Sequence, residues 1–234
     1  MSEVAESESL DLKHGEAVRA VNARLQGREG PVEGRRFQLA DPGGAHAVAA
    51  GLKHPMTVEI DGHVGYYCAG MNQAADVMVR GNAGVGLAEN IMSGSVRVTG
   101  NASQSAAATG HGGLVVIEGD ASSRCGISMK GVDIVVGGSV GHNSAFMAQA
   151  GRLVICGDAD DGLGDSIYEA RIYLRGTAHG LGADCVEKEM RDEHKAELAE
   201  LLKRAGLDRP VSDFRRYGSA RKLYNFKIDN LGAY

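Results

Sequence analysis

The sequence predicts an all-β core: a single-stranded, right-handed parallel β-helix of about seven 19-residue coils, with an N-terminal helix and a C-terminal helical and extended tail. Two observations carry this prediction. Glycine recurs at every nineteenth position, at Gly62, Gly81, Gly100, Gly119, Gly138, Gly157 and Gly176. A short aliphatic or β-branched run precedes each of these anchor glycines, from Thr57–Ile60 at the first to Arg171–Leu174 at the last. Such a period, held seven times, indicates stacked units of one architecture.

The composition limits the class of protein. The chain has 234 residues, enough for one large domain or two modest ones, and its 34 glycines are periodic, which is not typical of low-complexity disorder. Tryptophan is absent and aromatic residues are scarce, so the core must consist of Val, Ile, Leu, Ala and Met. The net charge of −5 argues against a nucleic-acid partner. No apolar run could cross a bilayer and no signal peptide follows Met1, so we expect no membrane partner and a cytoplasmic location.

Residues 1–36 are predicted to be an N-terminal arm and a capping helix. Residues 1–11 are acidic and rich in serine. Asp11 is placed to cap a helix that runs to about Gln26 and ends at Gly27. The apolar face of this helix consists of Ala17, Val18, Val21 and Leu25. A helix this short is marginal alone, so we expect it to dock on the open end of the coils.

Residues 37–185 are predicted to be the β-helix itself. Gly43 lies one repeat interval before Gly62, which indicates a degenerate first coil. Positions two and four before each anchor glycine are aliphatic in all seven coils, so they share the inward face of a strand. The outward position between them is Glu59, Met78, Arg97, Val116, Val135, Val154 and Tyr173 in successive coils. Its change to apolar residues predicts a covered outer face there, and an apolar face of this kind usually marks an interface.

Two further columns contain small residues. The second position after each anchor glycine is Ala or Val, and the seventh is Ala or Gly. Both columns are expected where the walls of the coil approach closely. The anchor glycine itself is predicted to form a corner with a positive φ, where a Cβ would cost roughly 1 kcal/mol. Coils would stack about 4.8 Å apart, and right-handed connections are the rule between parallel strands.

Residues 186–234 are predicted to be a C-terminal helix and a partner-binding tail. The helix is expected from about Glu187 to Ala205, and Gly206 ends it. Its apolar stripe consists of Met190, His194, Leu198, Leu201, Leu202 and Ala205. Ser212 is placed to cap a second, short helix from about Asp213 that is interrupted near Gly218. The final segment, Lys222–Tyr234, has an extended pattern.

Residues with reactive side chains do not converge in the sequence. Cys68 and Cys125 share a column three coils apart, roughly 14 Å and beyond disulfide reach, so both are expected to be small buried hydrophobes. A cluster of carboxylates, Asp158, Asp160, Asp161 and Asp165, could bind calcium, but a solvated corner is the preferred interpretation. The histidines fall at unrelated positions, namely His54, His63, His111, His142 and His179.

The sequence therefore predicts a scaffold. It has no nucleophile elbow, no P-loop and no dinucleotide fingerprint. No C-x-x-C pair indicates a zinc or iron–sulfur site. We predict no catalytic, cofactor-binding or metal-binding residue, and a structural role for the seven anchor glycines.

The glycine pattern resembles a known family. The segments Gly62–Gly65, Gly81–Gly86 and Gly131–Gly138 are similar to the G-x-x-G-x-x-x-G β-helix domain that closes the large subunit of glutamate synthase. The resemblance covers about residues 50–185 and extends to Tyr217–Lys222, which is similar to a Thr-Gly-Ser segment of that family. The motif is specific for the domain and less specific for the activity.

The resemblance implies a non-catalytic function. In the parent enzyme this domain carries no catalytic residue and holds the glutamine-site domain against the flavin domain, between which ammonia is channelled. The present chain shows no amidotransferase domain and no flavin barrel, so it is expected to be a separate subunit of a hetero-oligomer. Its partners would be an amidotransferase-like chain and a glutamate-synthase-like chain that carries FMN and an iron–sulfur cluster.

Several complexes fit this resemblance. The tail is most similar to the middle subunit of N-methylglutamate synthase, which makes N-methylglutamate from methylamine and glutamate. Two alternatives fit the same resemblance. One is the β-helix subunit of a formylmethanofuran dehydrogenase or formyltransferase/hydrolase complex, and the other is a split archaeal-type glutamate synthase. A free-standing polysaccharide lyase is an alternative from another class, and it requires clustered carboxylates and a basic residue on one sheet face.

Overall fold

A computed structural model describes residues 7–12 and 18–221. The described residues form eleven strands, two α-helices and one 3₁₀ helix. The strands are β1 (Ser7–Asp11), β2 (Arg36–Ala40), β3 (Thr57–Asp61), β4 (Asp76–Arg80), β5 (Ser95–Val98), β6 (Leu114–Ile117), β7 (Lys130–Val136), β8 (Ala150–Ile155), β9 (Arg171–Leu174), β10 (Cys185–Lys188) and β11 (Arg215–Ser219). The helices are α1 (Val18–Leu25), α2 (Asp192–Ala205) and the 3₁₀ helix Val211–Asp213.

Strands β1 to β9 lie side by side in one parallel sheet, in chain order. Between β3 and β9 the paired residues are one repeat apart, as in Thr57 with Asp76, except that Lys130 pairs with Ala150 across a register shift in β7. A second column of parallel bridges runs from Val64 to Ala178 through the small residues two positions after each anchor glycine. The inward aliphatic ladders form one continuous buried core. The predicted parallel β-helix is confirmed.

The N-terminal end of the core is covered by α1. Val21 and Leu25 of this helix are buried against the first coil, and the amides of Asn22 and Gln26 donate to carbonyl oxygens of that coil at 2.7 and 2.9 Å. The predicted docking is therefore confirmed. The predicted helix start at Asp11 is wrong, because Asp11 ends β1, which gains backbone partners by pairing with β2. Ala17 lies outside the described residues.

The first coil is longer than the others. Arg36 pairs with Thr57 and Ala40 pairs with Asp61, a separation that exceeds the regular repeat by two positions. Asp41, with a φ of 49°, therefore occupies the place of the anchor glycine. The degenerate first coil is confirmed, but Gly43 is not its anchor, because the added length displaces it past the corner.

The C-terminal end of the sheet reverses direction. Strand β11 lies between β9 and β10 and runs antiparallel to both. The predicted start of the long helix at Glu187 is wrong because Cys185–Lys188 forms β10, and α2 begins at Asp192. The predicted helix from Asp213 is also wrong. Pairing with two strands satisfies the backbone of β11 and buries Tyr217 at the end of the core. Lys222–Tyr234 lies outside the described residues.

The apolar outer face of the later coils is covered by α2. Leu198, Leu201, Leu202, Ala205 and Phe214 pack on a set of outward side chains of the sheet. That set includes Val116, Val135, Val154 and Tyr173. The predicted cover is confirmed. Its interpretation as an interface with another chain is wrong, because the cover comes from the same chain.

The anchor glycines are required for a reason other than the predicted one. Gly62 has a φ of 139°, whereas the six later anchor glycines are outside the positive-φ region. A Cβ on Gly119 would lie 2.1 Å from the Asn101 Oδ1, and one on Gly81 would lie 2.6 Å from the Gly62 carbonyl oxygen. The corner therefore demands glycine because the preceding coil leaves no room for a side chain.

Positive φ values occur elsewhere in each coil. Three columns, at the fifth, seventh and ninth positions after the anchor glycine, are left-handed in the six coils from that of Gly62 to that of Gly157. In the coil of Gly62 these are Tyr67, Ala69 and Met71, with φ between 54° and 61°. The small residues of the seventh position thus combine burial with a left-handed backbone, where a larger side chain would add strain.

Candidate functional site

A ladder of polar side chains follows the corner of the β-helix. The residue after each of the first six anchor glycines accepts a hydrogen bond from the backbone N–H of its equivalent in the next coil, at 2.7 to 2.9 Å. The acceptors are His63, Asn82, Asn101, Asp120, Ser139 and Asp158. From Asn82 onward, each of these side chains fills the space where a Cβ on the next anchor glycine would stand. The structural role of the seven anchor glycines stays a prediction, and the ladder beside them is compatible with it.

A network of ion pairs joins α2 to the sheet. The Asp133 carboxylate, in a residue only 6% exposed, accepts two hydrogen bonds from Arg152 at 2.6 Å and one from Arg204 at 3.2 Å. The Glu197 carboxylate accepts from Arg171 at 2.6 Å and from the Tyr173 hydroxyl at 2.5 Å. Several of these side chains line an open cleft of about 310 Å³.

The electrostatics of this network favour attachment over catalysis. Burial raises the pKa of Tyr173, and its hydrogen bond to Glu197 raises it further, so the hydroxyl stays protonated at neutral pH. The hydrogen bonds to Asp133 raise the pKa of Arg152. Each charged side chain of the network is paired with one of opposite charge, an arrangement that can hold α2 on the sheet. The sequence does not reveal this network, because Asp133 and Arg204 are 71 residues apart.

All four cysteines are buried and have free thiols. Burial raises the pKa of Cys68 and of Cys125 to about 12, and that of Cys185 to about 11. A thiol of such a pKa is a poor nucleophile at neutral pH. The prediction that Cys68 and Cys125 are small buried hydrophobes is confirmed.

The predicted carboxylate cluster does not converge on a common point. Asp158 accepts from the Thr177 N–H, Asp160 accepts from the Asp161 N–H, and Asp165 accepts from a neighbouring hydroxyl. Within residues 7–12 and 18–221, no group of three or more His, Cys, Asp or Glu is placed to hold a metal ion. The structure therefore offers no support for the calcium alternative.

Two histidines, His63 and His194, accept local backbone hydrogen bonds. His63 is the first acceptor of the polar ladder. His194, which the sequence places only in an apolar stripe, is 4% exposed, and its Nδ1 accepts from the Arg191 N–H at 3.2 Å. This contact satisfies a backbone donor at the start of α2.

One lateral surface carries exposed apolar side chains. Met71 and Met147 stand at the ninth position after an anchor glycine and are 46% and 40% exposed. Met92 and Tyr168 stand at the eleventh and are 47% and 40% exposed. The column between them is buried, so these two columns point outward together. The four side chains form two separate pairs, because the same columns of the two intervening coils carry Thr109, His111, Ser128 and Lys130.

Within the described part of the chain, neither helix combines the length and the apolar composition that crossing a bilayer requires.

Comparison with known proteins places the chain in a family. No protein-family model matches the sequence. The chain is 57% identical over 199 residues to protein GlxC of Rhizobium meliloti (strain 1021), an alignment that covers 85% of this chain and 87% of that protein. The chain therefore belongs to the family of protein GlxC.

Proposed function

We propose that this chain is a structural subunit of a glutamate-synthase-like complex, and that the complex is an N-methylglutamate synthase. The observation that carries the proposal is the unbroken 19-residue glycine repeat, which resembles the β-helix domain of glutamate synthase and folds here as a parallel β-helix. Buried thiols, paired charges and dispersed carboxylates in the described residues support a scaffold.

In this proposal the β-helix holds two other chains together. One is an amidotransferase-like subunit, and the other binds FMN and an iron–sulfur cluster, so that ammonia can pass between them. The cofactors belong to the partner chains. The present chain contributes rigidity, since each coil bonds to the next through its strand, its bridge column and its polar ladder.

Reconstitution of the complex tests this proposal. The chain is coexpressed with the two partner subunits, and formation of N-methylglutamate from methylamine and glutamate is measured. We expect one complex of all three chains, with activity that falls strongly when this chain is omitted and an inert chain when it is alone. Equal activity from the two partners without this chain would refute the scaffold role.

The same experiment separates the alternative complex. A formylmethanofuran dehydrogenase or formyltransferase/hydrolase complex has a subunit with a related repeat, so a tagged chain would then recover a formyltransferase-like partner. Recovery of that partner in place of the amidotransferase-like chain would overturn the N-methylglutamate synthase assignment and keep the scaffold role.

A further inference from the structure

Four cationic side chains meet on the outer face of the sheet beside the start of α2. Arg216 of β11 is paired with Tyr173 of β9 on one side and with Lys188 of β10 on the other. Residues directly opposite each other on antiparallel strands share a face, and Tyr173 faces α2. Arg171 lies two positions before Tyr173 on the same face, and Arg191 directly precedes α2. We call Arg171, Lys188, Arg191 and Arg216 the basic site.

Two members of the basic site have carboxylate partners. Arg171 pairs with Glu197 at 2.6 Å, and Arg191 pairs with Glu193 at 2.9 Å. These two carboxylates belong to α2, so they balance the part of the basic site that lies under and before the helix. The charge on β10 and β11 is not balanced in this way.

Arg216 lies at the centre of the basic site. Its Nε donates to the Glu189 carbonyl oxygen at 2.9 Å. Among the residues that the structure describes, no carboxylate forms an ion pair with Arg216 or with Lys188. Burial lowers the pKa of Arg216, and the neighbouring guanidinium groups lower it further, against opposite effects of Tyr173 and the Glu189 carboxylate. A further negative charge beside Arg216 would therefore be stabilising.

The basic site is open to solvent. The side chains of Arg191 and Arg171 are 56% and 46% exposed. Small molecules are usually bound in concave sites that enclose most of their surface. Exposed guanidinium groups suit the carboxylates of another protein chain, which they can hold through two parallel hydrogen bonds. Because this chain has a net charge of −5, a local excess of positive charge would direct an acidic partner to this place.

We propose that the basic site is the docking point for an acidic segment of a partner subunit, whose Asp or Glu side chains bind Lys188, Arg191 and Arg216. This inference rests on the proposed scaffold role, since a scaffold needs a place at which another chain binds. It adds the chemistry of the contact and its position, at the end of the sheet beside the start of α2.

Binding of an acidic peptide to the purified full chain tests the proposal. The probe is a fluorescently labelled hexaglutamate peptide, which is titrated with the protein at low ionic strength and followed by fluorescence anisotropy. Low ionic strength limits the screening of exposed charges. We expect saturable binding by the wild type, and binding about tenfold weaker by Arg191→Gln/Arg216→Gln.

A variant with the same change in charge is the control. Lys203→Gln/Arg209→Gln removes two cations from the other end of α2 and the turn that follows it, and it should bind the peptide as the wild type does. A second variant of the basic site, Lys188→Gln/Arg191→Gln, keeps the contact between Arg216 and the Glu189 carbonyl oxygen. It should weaken binding in the same direction, and it replaces the first variant if that one does not fold.

Three results would overturn the proposal. One is the absence of binding by the wild type, and another is equal weakening by the variants of the basic site and by Lys203→Gln/Arg209→Gln. The third is displacement of the peptide by an equal concentration of inorganic phosphate, which would assign a small-anion site. Since the peptide replaces the partner subunit, each of these results would leave the scaffold role to be decided by reconstitution of the complex.

Discussion

The outer face of the sheet has two halves that differ in chemistry and in cover. On β3–β5 the outward position is Glu59, Met78 and Arg97, and ion pairs such as Arg36–Glu59 at 2.8 Å lie on the surface. On β6–β9 the same position is Val or Tyr, and α2 packs over it. The inward ladders are alike in both halves. The solenoid repeat therefore fixes the core, and the outward column decides where the rest of the chain can attach.

Arg97 marks the boundary between the two halves. Its Nη2 donates to the Ala205 carbonyl oxygen at 2.7 Å, and its Nη1 contacts Glu118 at 2.9 Å. A guanidinium at the carboxyl end of a helix neutralises unpaired carbonyl groups and the helix dipole. Helix α2 therefore ends beside Arg97, the first charged residue of the outward column, because this side chain satisfies a carbonyl group at the end of the helix.

The largest effect is expected from a charge placed under α2. Val135→Asp buries a carboxylate in the apolar cluster between the sheet and α2, at a side chain that is fully buried. The cost should be roughly 3–5 kcal/mol of unfolding free energy. The matched variant Met78→Asp occupies the same column in the uncovered half and should change stability by less than about 0.5 kcal/mol. Chemical denaturation measures both. Similar losses in the two variants would contradict the division of the outer face.

A substitution at an anchor glycine should cause a smaller loss of stability, and the loss should be similar in the two halves of the sheet. Gly119→Val places a Cβ against the Asn101 Oδ1 and 2.9 Å from the Gly100 carbonyl oxygen. We expect a loss of about 1–3 kcal/mol from overpacking, read as a lower Tm. Adding Asn101→Ala removes the first contact and should recover part of the loss. No recovery would show that the ladder side chain is not the obstacle. Gly100→Val, against Asn82, should behave in the same way.

The smallest effect concerns pH and α2. Burial lowers the pKa of His194, and Arg216 and Arg191 lower it further, against a weaker opposite effect of Glu193. The unfolded chain therefore binds the proton more readily than the folded one. Stability is complete above the ordinary histidine pKa of 6.5 and declines as the pH falls below it.

Hydrogen exchange should locate this decline in the covered half. Protonated His194 can no longer accept from the Arg191 N–H and adds a positive charge at the start of α2. Amides of α2 should exchange faster at mildly acidic pH than at neutral pH, after correction for intrinsic rates, while β3–β5 amides should not. His194→Asn, whose Oδ1 can accept the same hydrogen bond, should lose this pH dependence. A uniform change along the chain would assign it to other groups.

Much of the fold follows from periodicity. The inward ladders and the seven coils were predictable because each coil repeats one pattern, and a repeated pattern has a single register. The docking of α1 was predictable because a short helix with an apolar face needs a surface to pack on. The errors lie where the repeat stops. Asp11, Glu187 and Asp213 carry helix-like local signals, yet the adjacent strands pair with open edges of the sheet. Edge pairing depends on what lies beside a segment in space, which local propensity does not contain.

The candidate site was also predictable only in part. The anchor glycines were evident from their spacing, but their reason was not, since the obstructing Asn101 or Asp120 belongs to the preceding coil. The Asp133–Arg152–Arg204 network joins residues up to 71 positions apart.

By itself the sequence determined that this chain is a stack of 19-residue coils with an aliphatic core, because stacked equivalents demand the same residue type in each turn. Only the tertiary structure decided which part of the outer face is occupied. The cover depends on where α2 returns to the sheet, and that return is set by packing and ion pairs between residues distant in the chain.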